Sequence, residues 1–272
     1  MSVKANRPIG VFDSGIGGLT VLKEIARLLP KEDTIYLGDT ARVPYGAKSK
    51  ETIIRYSLEI ADFLIRQGNI KLLVVACNTA SAYALQTLRK KIEVPVIGVI
   101  APGARSAVSA TAHKRVGVIG TEGTIRSNAY KAAIRRIDPG IKTFAIACPM
   151  FVPLAEEGWT DDEVAYLAAK KYLLGLKRRD IDALVLGCTH YPLLKKTIAR
   201  VAGRSVKLID SATATAKEVK EELKTLNLLN AGRGKTAKHA FFATDSPERF
   251  IKIGKRFFGH RLKGVRLVRL GA

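Results

Sequence analysis

The stretch that decides the fold is Leu72-Leu73-Val74-Val75-Ala76-Cys77-Asn78-Thr79-Ala80-Ser81. Its apolar part is continuous rather than alternating, which is typical of a parallel strand that is buried on both faces. The strand ends in a cysteine that two small polar residues follow. Because open α/β sheets bind ligands at the carboxyl ends of their strands, we predict that Cys77 lies at a ligand-binding edge.

The same pattern recurs in the second half of the chain. Residues Asp182–His190 form another apolar run, and it ends in Cys188 and two polar residues. Three strand segments repeat in the same order, which indicates an internal duplication. The other two pairs are Ile9–Gly15 with Val116–Glu122 and Ile35–Gly38 with Phe144–Ala147.

The duplication predicts an α/β protein with two pseudo-symmetric halves built on parallel sheets. We place residues 1–98 and 210–272 in the first domain and residues 99–209 in the second. No low-complexity linker separates the halves, so we expect them to interlock, with the two cysteines brought together.

Composition favours a globular protein of one large or two small domains, with 272 residues and 47% hydrophobic content. The three cysteines are an odd number, so a disulfide framework is not expected, and free thiols fit a reducing cytosol. The basic N-terminus lacks the apolar core of a signal peptide. No apolar run approaches the roughly 20 residues of a membrane span. We expect a cytoplasmic protein without a membrane contact.

Charge is the unusual feature, with 46 Lys and Arg residues against 24 acidic residues and a formal net charge of +22. One interpretation is attraction to a polyanion or an acidic small molecule. The other is a basic surface without such a partner. The segment after Glu248 is rich in Lys and Arg and has no acidic residue. The sequence has no zinc-finger spacing or helix-turn-helix signature, so nucleic-acid binding rests on charge alone.

The turn Asp13–Gly18 follows the first predicted strand, residues 8–12, and precedes a predicted helix, residues 19–29. Its glycines would let the backbone approach a ligand, and a helix N-terminus favours an anion. Similar turns occur in many α/β folds without a ligand, so both interpretations stay open. Segments 41–46 and 148–159 are predicted as loops at the same edge, where binding groups are common.

Two thiols on opposite sides of one carbon could remove a proton from one face and return a proton to the other. This exchange inverts a stereocentre. A free thiol has a pKa of about 8.5, which a helix N-terminus or a cation can lower. The charge that develops on the carbon needs fixed donors. Side chains at the strand ends that could supply them are Ser14, Asn78, Thr79, Thr121 and Thr189.

Other roles for the cysteines compete with this hypothesis. A single buried cysteine is most often an inert apolar residue, but two at equivalent strand ends favour chemistry. A metal site is not expected, because the chain has no C-x-x-C and only four histidines. A redox pair would lack its usual local motif. Cys148 has no cysteine partner in the repeat and is predicted to be structural.

Several segments together resemble the glutamate racemases of the aspartate/glutamate racemase family. The resemblance spans nearly the whole chain and continues through Ser246–Phe250. The segments that carry it are Phe12–Leu19, Gly38–Thr40, Pro44–Gly46, Ala76–Ala80 and Gly187–Pro192.

The resemblance implies interconversion of L- and D-glutamate without a cofactor or metal, which supplies D-glutamate for bacterial peptidoglycan. It also implies two α/β domains with the site between them, and a homodimer. The net charge of +22 is more basic than the family leads us to expect. The alternative is a racemase of aspartate or another acidic amino acid in the same wider family.

Roles for individual residues also follow from the resemblance. Cys77 and Cys188 would transfer the proton, and Asp13 would assist on the Cys77 side. His190 and Glu156 would assist on the other side, although the adjacent Glu157 keeps that choice open. The implied substrate contacts are Asp13, Ser14, Tyr45, Gly46, Asn78, Thr79, Thr121, Thr189 and His190.

Overall fold

The computed structural model describes residues 3–230, 236–260 and 262–271. Its strands are β1 (Ile9–Asp13), β2 (Thr34–Gly38), β3 (Leu72–Val75), β4 (Val96–Gly98), β5 (Arg115–Gly120), β6 (Lys142–Ala147), β7 (Ala183–Gly187), β8 (Lys207–Asp210), β9 (His239–Ala243) and β10 (Arg266–Leu267). Its α-helices are α1 (Leu19–Leu28), α2 (Lys50–Arg66), α3 (Asn78–Tyr83), α4 (Leu85–Lys91), α5 (Ile100–Ala110), α6 (Glu122–Arg126), α7 (Ala129–Ile137), α8 (Phe151–Glu157), α9 (Glu163–Lys177), α10 (Lys195–Ala202), α11 (Ser211–Thr225) and α12 (Pro247–Phe258).

The strands form two separate sheets, and every pairing between described strands is parallel. The first sheet has the order β10-β9-β2-β1-β3-β4, and the second has the order β6-β5-β7-β8. Each sheet therefore contains the same arrangement of its first four strands, in which the first strand lies between the second and the third. The predicted α/β fold with two parallel sheets is confirmed.

The internal duplication is visible in the strand register as well. In the first sheet Val11 on β1 pairs with Val74 on β3, and in the second Val118 on β5 pairs with Val185 on β7. Cys77 and Cys188 follow the equivalent strands β3 and β7. The strands of the first sheet come from residues 9–98 and 239–267, and those of the second from 115–210. The domain limits drawn from the sequence stay a prediction.

Strand β3 is buried on both faces, as its continuous apolar run predicts. Leu72 and Val74 belong to one hydrophobic cluster, together with residues of helices α1 and α11. Leu73 and Val75 belong to another, together with residues of helix α2. Helices therefore cover both faces of the sheet, and the polar residues that follow β3 are left at its carboxyl edge.

Helix α3 begins at Asn78, directly after β3, because the Cys77 sulfur accepts a hydrogen bond from the Ala80 amide at 3.4 Å and caps the helix. One prediction about local structure was wrong. Residues 148–159 were expected to form a long loop, but they contain helix α8. Pro153 lies in the first turn of α8, where a missing N–H breaks no helical hydrogen bond.

A buried ion pair joins the amino edge of the first sheet to two other segments. Lys71, directly before β3, lies 2.5 Å from Glu32 and also donates to the carbonyls of Ala5 and Leu228. Both side chains of the ion pair are almost fully buried, at 1% and 2% exposure. Within the described ranges, no helix is long and apolar enough to cross a membrane.

We predict that Lys71→Met lowers the free energy of unfolding by about 3–5 kcal/mol, because it leaves the Glu32 carboxylate buried without a cation. Urea denaturation measures the change. The matched control is Arg66→Met, which removes an exposed ion pair with Asp62 and should cost less than about 1 kcal/mol. Equal losses of unfolding free energy in the two variants would show that the buried ion pair is no more important for stability than the exposed one.

Candidate active site

A cavity of about 210 Å³ lies where the carboxyl edges of the two sheets face each other. It is lined by residues that follow strands of both sheets, and both Cys77 and Cys188 are among them. Of the residues singled out in the sequence, those that line it are Ser14, Tyr45, Gly46, Cys77, Asn78, Thr79, Thr121, Glu156, Cys188, Thr189 and His190. Asp13 is fully buried beside this cavity but does not line it.

The Cys77 thiol lies in an environment that favours its neutral form. Its sulfur lies 3.5 Å from the Ser14 hydroxyl, to which the thiol donates. Burial, followed by the nearby carboxyl group of Asp13, raises the pKa of Cys77 to about 12. A helix N-terminus can lower the pKa of a thiol, but at Cys77 the effect of burial outweighs it. The hydrogen bond from the Ala80 amide opposes these effects but is the weaker influence.

Cys188 has a basic neighbour instead. Nδ1 of His190 lies 3.9 Å from the Cys188 sulfur, and Nε2 of the same ring donates to Oε1 of Glu156 at 3.0 Å. Burial lowers the pKa of His190, but the hydrogen bonds with Cys188 and Glu156 raise it, and the net result is a pKa of about 10. The imidazole is therefore charged at neutral pH, with both nitrogens donating.

Glu156, rather than the exposed Glu157, is the carboxylate beside His190. It lies in the last turn of helix α8, two residues before the left-handed Gly158 that ends the helix. The hydrogen bond from His190 holds the pKa of Glu156 below its usual range, against the opposing effect of burial. Arg249 of helix α12 adds a second cation, 3.4 Å from Oε2 of Glu156.

Asp13 interacts with both the Cys77 side and the Cys188 side of the site. Its Oδ2 accepts from the Gly15 amide at 3.0 Å, and its Oδ1 accepts from the Thr189 hydroxyl at 3.5 Å. Burial raises the pKa of Asp13, and the charge of His190 is the main opposing influence. One carboxyl group thus influences Cys77 through its charge and contacts the Cys188 loop directly.

Part of the turn Asp13–Gly18 serves the contact between the sheets rather than a ligand. A Cβ on Gly17 would lie 2.3 Å from Oγ1 of Thr189 and 2.5 Å from Nδ1 of His190. Only glycine leaves room for the second cysteine loop here. The expectation of an anion at this helix N-terminus therefore applies at most to Ser14 and Gly15, which line the cavity.

Three threonine hydroxyls meet where the sheets join on the other side of the cavity. Thr79 lies 2.9 Å from Thr121 and 3.0 Å from Thr124, and the last two are 3.1 Å apart. Thr79 follows the first sheet's β3, whereas Thr121 and Thr124 follow the second sheet's β5. The cluster links the two edges and places polar hydroxyls at the cavity wall.

Tyr45 lines the cavity with its hydroxyl already occupied. That hydroxyl donates to Oδ2 of the fully buried Asp39 at 2.5 Å. Asp39 also accepts from Arg42 and from the Thr244 hydroxyl. Asp39 therefore holds the segment 41–46 in place. The ring of Tyr45 and the backbone of Gly46 are left to face the cavity.

Several residues at the site were not predicted from the sequence. Thr124 lines the cavity, and Tyr130 donates to Oδ1 of Asn78 at 2.7 Å. Asp39 binds the Tyr45 hydroxyl, and Arg249 lies beside Glu156. Asp39 stood within a quoted motif, Gly38–Thr40, which was the available signal. Tyr130 and Arg249 belong to helices distant in sequence from both cysteines, and no local pattern points to them.

The chain matches one family of known proteins along most of its length. The family model of the Asp/Glu/hydantoin racemases matches residues 9–219. The glutamate racemase of Geobacter metallireducens is 59% identical, over 98% of this chain and 98% of its own. The chain belongs to the glutamate racemases of this family.

Solved glutamate racemases have the same fold. An isoform from Bacillus anthracis superposes with a TM-score of 0.93 at 43% identity, over 97% of this chain and 98% of the other. The Francisella tularensis glutamate racemase, solved in complex with D-glutamate, gives a TM-score of 0.91 at 41% identity over the same shares. As a racemase, this chain is an isomerase. In the part of it that the structure describes, no group of three or more His, Cys, Asp or Glu side chains is arranged to hold a metal ion.

We predict that the stability contributed by His190 of this racemase decreases as the pH rises. The pKa of His190 is raised in the fold from its ordinary value of 6.5 to about 10. Its contribution is therefore complete below pH 6.5 and is lost as the pH rises through about 10. The difference in unfolding free energy between the wild type and His190→Gln should shrink across that range in urea denaturation.

The control for this experiment is His113→Gln, which changes an exposed histidine outside the cavity. Its unfolding free energy should follow the pH dependence of the wild type. A difference between wild type and His190→Gln that stays constant from pH 6.5 to 10 would show that His190 is not held charged.

Proposed function

We propose that this chain interconverts L- and D-glutamate by moving the Cα proton between Cys77 and Cys188. The observation that carries the proposal is that two thiols, at equivalent strand ends of two matching sheets, line one cavity. The names of the relatives support glutamate as the substrate, and one of them was solved with D-glutamate. No observation favours the alternative of aspartate.

The proton transfers balance with the two side chains alone. In the resting site Cys77 is a thiol, and a thiolate at Cys188 would be held by the charged imidazole of His190. The thiolate removes the Cα proton from one face of the substrate and becomes a thiol. Cys77 then gives its proton to the opposite face and becomes a thiolate. The resulting form of the enzyme converts the other enantiomer by the reverse steps, so no cofactor is required.

The assisting groups have different tasks on the two sides. On the Cys188 side, His190 stabilises the thiolate and Glu156 orients the ring through its hydrogen bond to Nε2. On the other side, the Asp13 carboxyl group raises the pKa of Cys77 and so keeps this thiol ready to donate. Developing negative charge on the substrate carboxylate needs fixed donors. Those proposed here are Ser14, Asn78, Thr79, Thr121 and Thr189, while Tyr45 and Gly46 close the cavity.

The biological setting is part of the same proposal. The family resemblance supports a role in supplying D-glutamate for peptidoglycan synthesis, in the cytoplasm. A homodimer is also expected from the resemblance and can be tested by light scattering. Nucleic-acid binding rests on the net charge of +22 alone. The basic stretch after Glu248 includes Arg261, which lies outside the described residues.

We predict that Cys77→Ala and Cys188→Ala each lower kcat/KM for racemisation by about 10²- to 10⁴-fold, the usual contribution of a general acid or base. Circular dichroism of L-glutamate, which decays to zero as the racemate forms, measures the rate. The matched control is Cys148→Ala, a buried cysteine that does not line the cavity and should retain racemisation.

Isotope exchange in D₂O distinguishes loss of a base from general damage. Each single variant keeps one thiol, which can remove the Cα proton and return deuterium to the same face without inversion. The two variants should therefore exchange opposite enantiomers of glutamate, as mass spectrometry would reveal. Exchange of both enantiomers by one single variant would contradict the assignment of one cysteine to each face.

A further inference from the structure

In the side-chain amide of Asn78 the oxygen is hydrogen-bonded, whereas the nitrogen has no hydrogen-bond partner among the described residues. Asn78 is 2% exposed, and its Oδ1 accepts the hydroxyl of Tyr130 at 2.7 Å. Its Nδ2 is buried, and among the described residues it has no hydrogen-bond partner. A buried donor without a partner is unfavourable, because it has lost its hydrogen bonds to water. Because Asn78 lines the cavity, a ligand there is the natural acceptor.

Tyr130 is rigidly placed to hold this amide. It lies on helix α7 and is 3% exposed. Its ring fits against two glycines, since a Cβ on Gly103 would lie 3.2 Å from it and a Cβ on Gly187 would lie 3.1 Å from it. Gly187 directly precedes Cys188. The ring therefore packs beneath one cysteine loop, while its hydroxyl holds the residue that follows the other cysteine.

The hydrogen bonds of Tyr130 select one orientation of the Asn78 amide. The side chain of Ser211 lies close to the Tyr130 hydroxyl, since both lie 3.2 Å from a Cβ built on Gly103. If the Ser211 hydroxyl donates to the Tyr130 oxygen, the phenol proton is left for Oδ1 of Asn78. A flipped amide would present Oδ1 to the cavity, where it would repel a carboxylate. Nδ2 is the group that a carboxylate can accept from.

We propose that Tyr130 is a positioning residue, which acts through Asn78 to aim an amide donor at a carboxylate of the substrate. This inference rests on the proposed function of the cavity. The bond crosses between the two halves of the fold, since Asn78 follows a strand of the first sheet and Tyr130 belongs to a helix of the second half. Tyr130 thus makes substrate binding depend on the correct approach of the two sheets.

Tyr130→Phe tests the proposal, because it keeps the ring and removes the hydroxyl. We expect kcat/KM for glutamate to fall about fivefold to thirtyfold, as for the loss of one well-placed hydrogen bond, with most of the change in KM because the carboxylate is already charged in the bound substrate. Binding of D-glutamate, followed by isothermal titration calorimetry, should weaken by the same factor. The matched control is Tyr191→Phe, which removes an equally buried hydroxyl that donates to the Cys148 carbonyl at 2.8 Å. Its KM should stay at the wild-type value.

A double-mutant cycle separates positioning from a structural effect. If Tyr130 acts through Asn78, then the KM of Asn78→Ala should hardly change when Tyr130→Phe is added. Additive effects, or an unchanged KM in Tyr130→Phe, would overturn the inference. A wild-type chain that racemises glutamate while Tyr130→Phe binds it normally overturns this inference alone. A wild-type chain that neither racemises nor binds glutamate overturns the proposed function as well.

Discussion

The close approach of two sheet edges is the constraint on which the rest of the structure depends. Gly17 has no space for a Cβ, because Thr189 and His190 of the other half occupy that position. Across the cavity, a Cβ on Gly46 would lie 2.8 Å from the side chain of Thr121. The cavity is therefore framed by two glycines at which the halves touch. Neither sheet alone contains a site, since each supplies one cysteine and part of the lining.

The backbone of the site is nearly symmetric, but its charges are not. Cys77 is influenced by a carboxyl group, and Cys188 has an imidazolium beside it. L- and D-glutamate have equal free energies, so this asymmetry cannot shift the equilibrium between them. On the proposed mechanism, it means instead that the resting form carries its proton on Cys77 and its positive charge on His190.

The sequence predicted the two-sheet fold and many of the cavity's polar residues, because parallel strands carry their binding residues at predictable ends. Both cysteines, Thr79, Thr121 and Thr189 could be found for this reason, whereas Tyr45 and Glu156 were named only from the family resemblance. Helix α8 was missed, although its Pro153 lies in the first turn, where a proline is tolerated. Tyr130 and Arg249 were missed because they reach the site through tertiary contacts, which no local spacing encodes. The raised pKa of Cys77 depends on its burial and could not be predicted either.

The high pKa of Cys77 follows from its surroundings in the fold. Burial and the Asp13 carboxyl group both disfavour a thiolate at Cys77. On the proposed mechanism, glutamate carries an ammonium group on the carbon that is deprotonated, so its positive charge would lie near both sulfurs. An opposite charge within a few ångströms favours the ionised form of a thiol. The substrate's own ammonium group would thus help to make the second base of the proposed mechanism available.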